Sequence, residues 1–370
     1  MATDSIVLNI NDLRKGVKQV TPASRDSYKG SGMACFTWAE DALWVVAGSF
    51  QKKICGAVVY NGERMEEVED VFFDIYSLNL FLKTSFSLST VKVTCSNNRL
   101  RFQVGRSYKE IALTGKDTGF SEYLSLPAVG HGISANDFLA WGSVAEFAHP
   151  NEYHSLHSVH LIVQDGWGHL LATSGFSAGY VWFESDDKTL DFRATLPSDF
   201  LKIGQGLDWD TEPKLVTGET RCYLRSKSCF LTGTTVNYDY PAEQVMALVR
   251  DYGDYPAVQV PVAELIGALA TFADASRDRG VVSVNVAYEE ETEGLIFSAS
   301  EEAVAGEMYV PATKGHLQLK AKVNGMAIKT AAEMLKTAEV MFINIQNHNN
   351  GWLIIRPDNN AAFCLGTMAF

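Results

Sequence analysis

Hydrophobic and polar residues alternate with a period of two through much of this chain. The clearest case is Val91–Gly115. Val91, Val93 and Cys95 alternate with Lys92 and Thr94, then Leu100, Phe102 and Val104 alternate again, and SYKEIAL resumes the run after Gly105. That spacing gives each strand one apolar face. Asn97-Asn98 reads as a turn, because Asn tolerates positive φ. The stretch predicts an antiparallel meander with one buried face.

The same order of elements recurs. IVLNI predicts a strand, and Asn11-Asp12 can cap a helix over LRKGVKQV, which Pro22 ends. Strands follow in ACFTWAEDALWVVAGS and KKICGAVVY, then an acidic loop, GERMEEVED, and a second helix within FFDIYSLNLFLKTS. After a Pro-Gly linker, SLPAVG, a helix with Ser134 as cap is predicted in SANDFLAWGSVAEFA. Strands HSVHLIVQ, HLLATSG and AGYVWFES follow, with a short helix in LPSDFLKIGQG and a meander in LVTGETRCYLRSKSCFLTGTTV. A third round begins with the amphipathic helix PVAELIGALATFADAS, continues through VVSVNVAYEE, GLIFSAS and the helix NGMAIKTAAEMLKTA, and ends in three strands from VMFINI onward. The acids that open each round, Asp12, Asp137 and Glu264, are 125 and 127 residues apart, and the closing turns near Asn97, Gly218 and Asn350 are 121 and 132 apart. Three α+β domains of one type are therefore expected, over residues 1–126, 127–258 and 259–370.

Length and composition fit this plan. At 370 residues, 46% apolar and 20% charged, the chain is globular and too long for one ordinary core. No run is long enough for a membrane span, and no secretory signal is visible at the N-terminus, so a cytoplasmic location is expected. The six cysteines form no CxxC pair, which suits free thiols in a reducing compartment. A net charge of −13 argues against a surface coated in basic residues. The distribution is uneven, however. Residues 12–29 hold five basic residues against two acids, while acids cluster at 63–70, 289–293 and 301–302.

Several segments together resemble the bacterial-type DNA sliding clamp, the β subunit of the replicative DNA polymerase III. They are NRLRFQVGRS (98–107), LLATSGFSAG (170–179), DYPAEQVM (239–246), VNGMAIKTAAEML (323–335) and the C-terminal CLGTMAF. None is specific alone; their order and spacing carry the resemblance over essentially the whole length. The resemblance implies three similar clamp-type domains, each with two helices packed on antiparallel sheets, and a head-to-tail homodimer closed into a ring. The implied function is a processivity factor without catalytic residues or cofactors. Its partners would be double-stranded DNA, bound without sequence preference, the replicative polymerase and the clamp loader, with no membrane partner.

Residues can be carried over position by position. Arg14, Lys15, Lys18, Arg25, Lys29, Lys83, Lys202, Arg277, Arg279, Lys329 and Lys336 would face the DNA. Such a set is ordinarily a solvated helix face, but most of these residues lie on the helices that should line a ring, away from the acids. Phosphate attraction is independent of sequence, which suits a sliding contact. A partner-peptide pocket is implied at Thr173, Gly175, Phe176, Ala178, Pro241, Val245, Met246, Asn324, Ala327, Leu365, Met368 and Phe370; the bland alternative is domain-junction core. Ser174 and Ser177 stand where the family has Asp and Arg, and Thr367 and Ala369 where it has Pro and Arg. These departures fit a divergent member, such as a phage- or plasmid-borne copy, with its own peptide preference. The dimer seam is implied at Arg106, Tyr108, Ile111, Phe272, Ala273, Glu301 and Glu302.

Two other classes compete. His149, His154, His157 and His160 could suggest a metal-dependent enzyme, but residues three apart on a strand alternate faces, and no metal site is expected. No GxGxxG, P-loop, GxSxG or HExxH pattern occurs. A structural or inhibitory protein that keeps the clamp fold without loading on DNA is the other alternative.

Overall fold

The computed structural model describes residues 5–24, 32–39, 41–49, 53–62, 71–84, 86–116, 124, 133–134, 139, 142–149, 151, 154–175, 177–185, 188–217, 220–235, 239–250, 256–275, 283–301, 304–316, 320–335, 339–345, 352–356 and 361–366. In chain order the elements begin with β1 (Ser5–Asn9), α1 (Ile10–Val20), β2 (Met33–Ala39), β3 (Ala42–Ser49), β4 (Lys53–Asn61), β5 (Val71–Asp74) and α2 (Ile75–Leu82). The meander follows as β6 (Thr90–Ser96), β7 (Arg99–Val104) and β8 (Ser107–Ala112), then β9 (Gly115–Lys116) and β10 (Ile133–Ser134). Next come β11 (Ser158–Gln164), β12 (Trp167–Thr173), β13 (Ser177–Glu184), β14 (Phe192–Pro197), α3 (Ser198–Gly206), β15 (Lys214–Thr217), β16 (Arg221–Arg225), β17 (Cys229–Thr234) and α4 (Ala242–Arg250). The last stretch holds β18 (Ala257–Pro261), α5 (Val262–Ala275), β19 (Ser283–Glu289), β20 (Gly294–Glu301), β21 (Val304–Pro311), β22 (Lys314–Gly315), β23 (Lys320–Asn324), α6 (Gly325–Leu335), β24 (Glu339–Ile345), β25 (Trp352–Arg356) and β26 (Ala361–Gly366).

The chain divides into two compact units. The first comprises Met1–Asn136 and Lys202–Thr235. It contains a four-stranded sheet, β1-β6-β7-β8, and a nine-stranded sheet, β10-β15-β16-β17-β4-β3-β2-β5-β9. The meander forms as its alternation predicts: Val91, Val93, Leu100, Phe102 and Val104 are buried, and Asn97 and Asn98 both take positive φ, 49° and 61°, as a two-residue hairpin turn requires. Phe102 meets Phe36 and Phe73 of the larger sheet, at centroid distances of 6.2 and 6.3 Å, and these rings are the heart of the core between the sheets. Helix α1 buries Ile10, Leu13, Gly16, Val17 and Val20. Gly16 permits a close approach, since a Cβ there would lie 2.6 Å from Val59 Cγ1. The N-cap is Asn9, whose side chain accepts from the Asn11 and Asp12 amides, rather than the Asn11-Asp12 pair expected from the sequence.

The second unit comprises Asp137–Leu201 and Val236–Phe370. Its nine-stranded sheet, β14-β11-β12-β13-β26-β25-β24-β18-β22, follows the same scheme as that of the first unit. In each, two meanders abut through one antiparallel pair, β17 with β4 in the first unit and β13 with β26 in the second. Both pairs join strands from either side of an expected domain boundary, which is why the compact units do not follow the three-part repeat. The four-stranded sheet β21-β20-β19-β23 has the layout of β4-β3-β2-β5 in the first unit, a meander followed by a strand that leads into a helix, but β21 is left as an edge where β4 pairs with β17. Phe297 and Phe342 meet edge to face at 6.3 Å between this unit's two sheets, where the first unit has the tilted pair Phe102 and Phe36.

Several local expectations change. Val71–Asp74 is a strand, and the second helix starts only at Ile75, where the Asp74 carboxylate caps the Tyr76 and Ser77 amides. Ser134 pairs with Lys214 in β10 instead of capping a helix, and Gly142–Phe147 is a 3₁₀ helix. Helix α4 and strands β14, β21 and β23 have no counterpart in the sequence reading. The SLPAVG linker and the acidic loop at 63–70 lie outside the described residues.

Candidate functional site

The basic residues of α1 divide by task. Leu13, Val17 and Val20 fix the buried face, so Lys15 and Lys18 project to solvent. Arg14 turns back on its own unit. Its Nε donates to Leu82 O at 2.8 Å and Nη2 to Thr84 O at 3.3 Å, just past the end of α2. Those carbonyls are the orphan acceptors at the negative end of the helix dipole, so the guanidinium closes α2 as well as carrying charge. Lys15, Lys18 and Lys202 instead share a groove of about 480 Å³ with Gln19, Pro22, Ile203, Gly206 and Asp208. Within it the Lys15 ammonium pairs with the Asp208 carboxylate, and the hydrogen bond it donates to Asp208 raises the Lys15 pKa above its ordinary value. Asp208 had no signal in the sequence beyond standing two residues after a helix end.

Of the remaining basic set, Lys83 is exposed at the end of α2. Lys329 pairs with Glu333 at 2.6 Å on α6, in the less favourable order of the two charges for i,i+4 pairs. Arg25, Lys29, Arg277, Arg279 and Lys336 lie outside the described residues.

Three of the residues expected at the peptide pocket come together in a buried cluster. Ala178, Val245 and Met246 belong to one apolar cluster with Ile162, Leu171, Tyr180, Tyr240 and Ala242, and Leu156, Trp182 and Ala257 pack against it. Helix α4 supplies Ala242, Val245 and Met246 from one face, at spacings i, i+3 and i+4, a signal present in the sequence but not read. Beside the cluster is a hydroxyl-rich turn. Thr173 Oγ1 donates to Ser177 O at 2.8 Å and accepts from Gly175 N at 3.0 Å, and Ser174 Oγ lies 3.0 Å from Ser177 Oγ. Gly175 sits at φ +89°, which a side chain would strain. Ser174 and Ser177 thus bond to each other. Pro241 directly precedes α4, Asn324 caps α6 by accepting from Met326 N, and Ala327 is half-buried on α6. Leu365 is opposite Ser177 in the β13–β26 ladder. Phe176, Met368 and Phe370 lie outside the described residues.

Of the elements that carry the expected seam residues, β8 is a sheet edge, and β20 is one strand in from the edge β21. Arg106, in the turn before β8, and Tyr108, on β8, are exposed, Tyr108 at 55%, and Ile111 on β8 is buried. The Arg101 guanidinium stacks on the Tyr108 ring at 4.0 Å, and Glu110 lies 3.7 and 3.6 Å from Arg99 and Arg101. On the other side, Phe272 is buried within α5, which also carries Ala273, while Glu301 ends β20, next to the edge strand β21. Glu302 lies outside the described residues.

Three of the four histidines touch one another, and His160 has partners of its own. His149 stacks on His154 at 4.0 Å, His157 Nδ1 contacts His149 O and its Nε2 the Ser198 hydroxyl, and His160 Nδ1 meets Thr195 Oγ1 at 2.8 Å. Among the described residues no group of three His, Cys, Asp or Glu side chains is placed to hold a metal ion. His160 also lies flat against Tyr240 at 5.1 Å. Burial, with help from the Arg193 charge, lowers its pKa to about 4. The neutral ring is the folded form, so its stabilisation is complete above an unfolded pKa near 6.5 and is lost as pH falls from there towards 4. After allowance for partial solvent contact, the loss should be about 2 kcal/mol. Denaturant titrations at pH 7 and pH 4.5 should show it, and His160→Gln should flatten that dependence.

No sequence-family model and no curated protein sequence matches the chain. Solved structures do. The DNA polymerase III β subunit of Thermotoga maritima superposes with a TM-score of 0.79 at 14% identity, covering 99% of each chain. The DNA polymerase sliding clamp of Bacillus subtilis gives 0.77 at 14% identity over 100% of both chains. The Helicobacter pylori β clamp, solved bound to a DNA ligase peptide, gives 0.73 at 11% identity over 99% of this chain and all of its own. The fold of this chain is therefore that of the bacterial sliding clamps over its full length.

Proposed function

We propose that this chain is a sliding clamp: a non-enzymatic processivity factor that closes as a head-to-tail homodimer around duplex DNA. It would act in the cytoplasm, be placed on DNA by a clamp loader, and tether the replicative polymerase. The observation that carries the reading is the end-to-end match of fold, in which neither chain has an unmatched domain. The local features support it. Each unit ends a four-stranded sheet in an edge, β8 or β21, and pairing of two such edges on different copies, head to tail, would cover both of them. The three-domain division at 126/127 and 258/259 fits the matched order of the sheets, with β17–β4 and β13–β26 as continuous joints between domains. The apolar cluster under α4, with the 173–177 turn beside it, is the proposed seat for partner peptides, and the uncharged Ser174–Ser177 pair at that turn suits a peptide anchored by apolar side chains.

A topological link makes a sharp test. After loading on a nicked circular plasmid, the protein should co-elute with the DNA in gel filtration, and a single restriction cut should release it. Binding that survives the cut would mean the contact is not topological. Failure to load with any clamp loader would overturn the reading in favour of a clamp-fold protein with a structural or inhibitory role.

A further inference from the structure

The groove between α1 and α3 carries a charge arrangement that a purely phosphate-attracting surface would lack. Three lysines line it, Lys15, Lys18 and Lys202, yet one carboxylate, Asp208, shares the lining and holds Lys15. Both side chains of the pair are open to water, at 57% and 65% exposure, so the pair is easily exchanged. The neighbouring acid is differently placed. Asp210 accepts from the Ser228 amide at 3.1 Å and its hydroxyl at 2.8 Å, so it is tied to the turn before β17. Asp208 is thus the acid whose described charged partner is a lysine of the groove.

We propose that Asp208 is a built-in competitor for phosphate at this groove. It occupies the Lys15 ammonium in place of a phosphate oxygen and yields it when a backbone phosphate of the duplex enters. As the phosphate leaves, Asp208 takes the lysine back. Lys15 is then partnered at every stage, so the energy difference between one DNA register and the next is reduced, which favours sliding over holding. The inference rests on the reading of the chain as a DNA-encircling clamp.

The test is salt-dependent binding of the full chain to a fluorescent DNA duplex, followed by anisotropy between 50 and 200 mM salt. Each phosphate newly neutralised should steepen the log–log slope by about 0.9, so Asp208→Asn should bind more tightly at low salt and lose about 3.5-fold more affinity than the parent over that range, per chain engaged. Adding Lys15→Ala to Asp208→Asn should remove the gain. A slope unchanged by Asp208→Asn overturns the proposal, as does a gain that survives Lys15→Ala, because that would be a general effect of net charge. Lys18→Ala with Lys202→Ala tests the underlying reading separately. If that pair leaves the parent's binding untouched, the groove does not face DNA and the proposal falls with it; if the pair weakens binding while Asp208→Asn does nothing, only the competitor role is lost.

Discussion

Tyr108→Pro should turn a dimer of about twice 40.7 kDa into monomers in sedimentation, and the variant should no longer remain on circular DNA. The expectation follows from the ladder. Val104 and Ser107 flank the two-residue turn Gly105–Arg106, with Gly105 at φ +60°, and the closing pair of such a hairpin exchanges both hydrogen bonds. Pairs alternate from there, so Tyr108, opposite Gln103, directs its amide away from β7 and towards the open edge. Proline removes that donor and little from the sheet itself, and edges are where proline is tolerated. The monomer should therefore keep its fold, with an unchanged circular dichroism spectrum. A dimer that persists would place the seam on another edge.

The legibility of this chain tracks how strongly burial imprints a pattern. The 91–112 meander was readable because every second residue enters a closed core and because Asn97-Asn98 supplies the positive-φ turn. Strand β21 was not. As an edge it leaves Ala305, Gly306 and Glu307 exposed in a row, so its alternation is blurred on the side where its pairing would matter most. Helix α4 carries the helical spacing at Ala242, Val245 and Met246, but over only nine residues, too short a run for its periodicity to stand out. Arg14 marks a different limit. Spacing places it on the basic side of α1, and nothing local shows that its guanidinium closes a helix 68 residues later in the chain. The pairing of Lys15 with Asp208 was hidden in the same way: both partners are ordinary surface residues until the fold brings α1 and α3 together. Periodicity therefore gave the elements and the repeat, while the division of the basic residues between structure and surface needed long-range contacts.

Phe102→Ala should cost about 3–5 kcal/mol in denaturant unfolding of the full chain, a large share of a typical domain's stability. Phe102 is fully buried and bridges the two sheets of the first unit, against Phe36 and Phe73, which are themselves 4.9 Å apart and buried. Neither ring can move into the space without leaving its own contacts, so the cavity would persist. Phe102→Leu keeps most of the volume and should cost only about 1 kcal/mol. Phe102 also lies on β7, the strand that supports edge strand β8, so the alanine variant should weaken the dimer as well as the fold. This separates it from Tyr108→Pro: one variant should lower the unfolding midpoint and the dimer together, the other the dimer alone. Phe297→Ala provides the matched control, since Phe297 is fully buried against Phe342 in the second unit and supports β21. Because β20 stands behind edge strand β21 as β7 stands behind β8, this variant should reproduce both effects of Phe102→Ala; a loss of stability at Phe102 with none at Phe297 would mean that the second core does not rest on its aromatic pair.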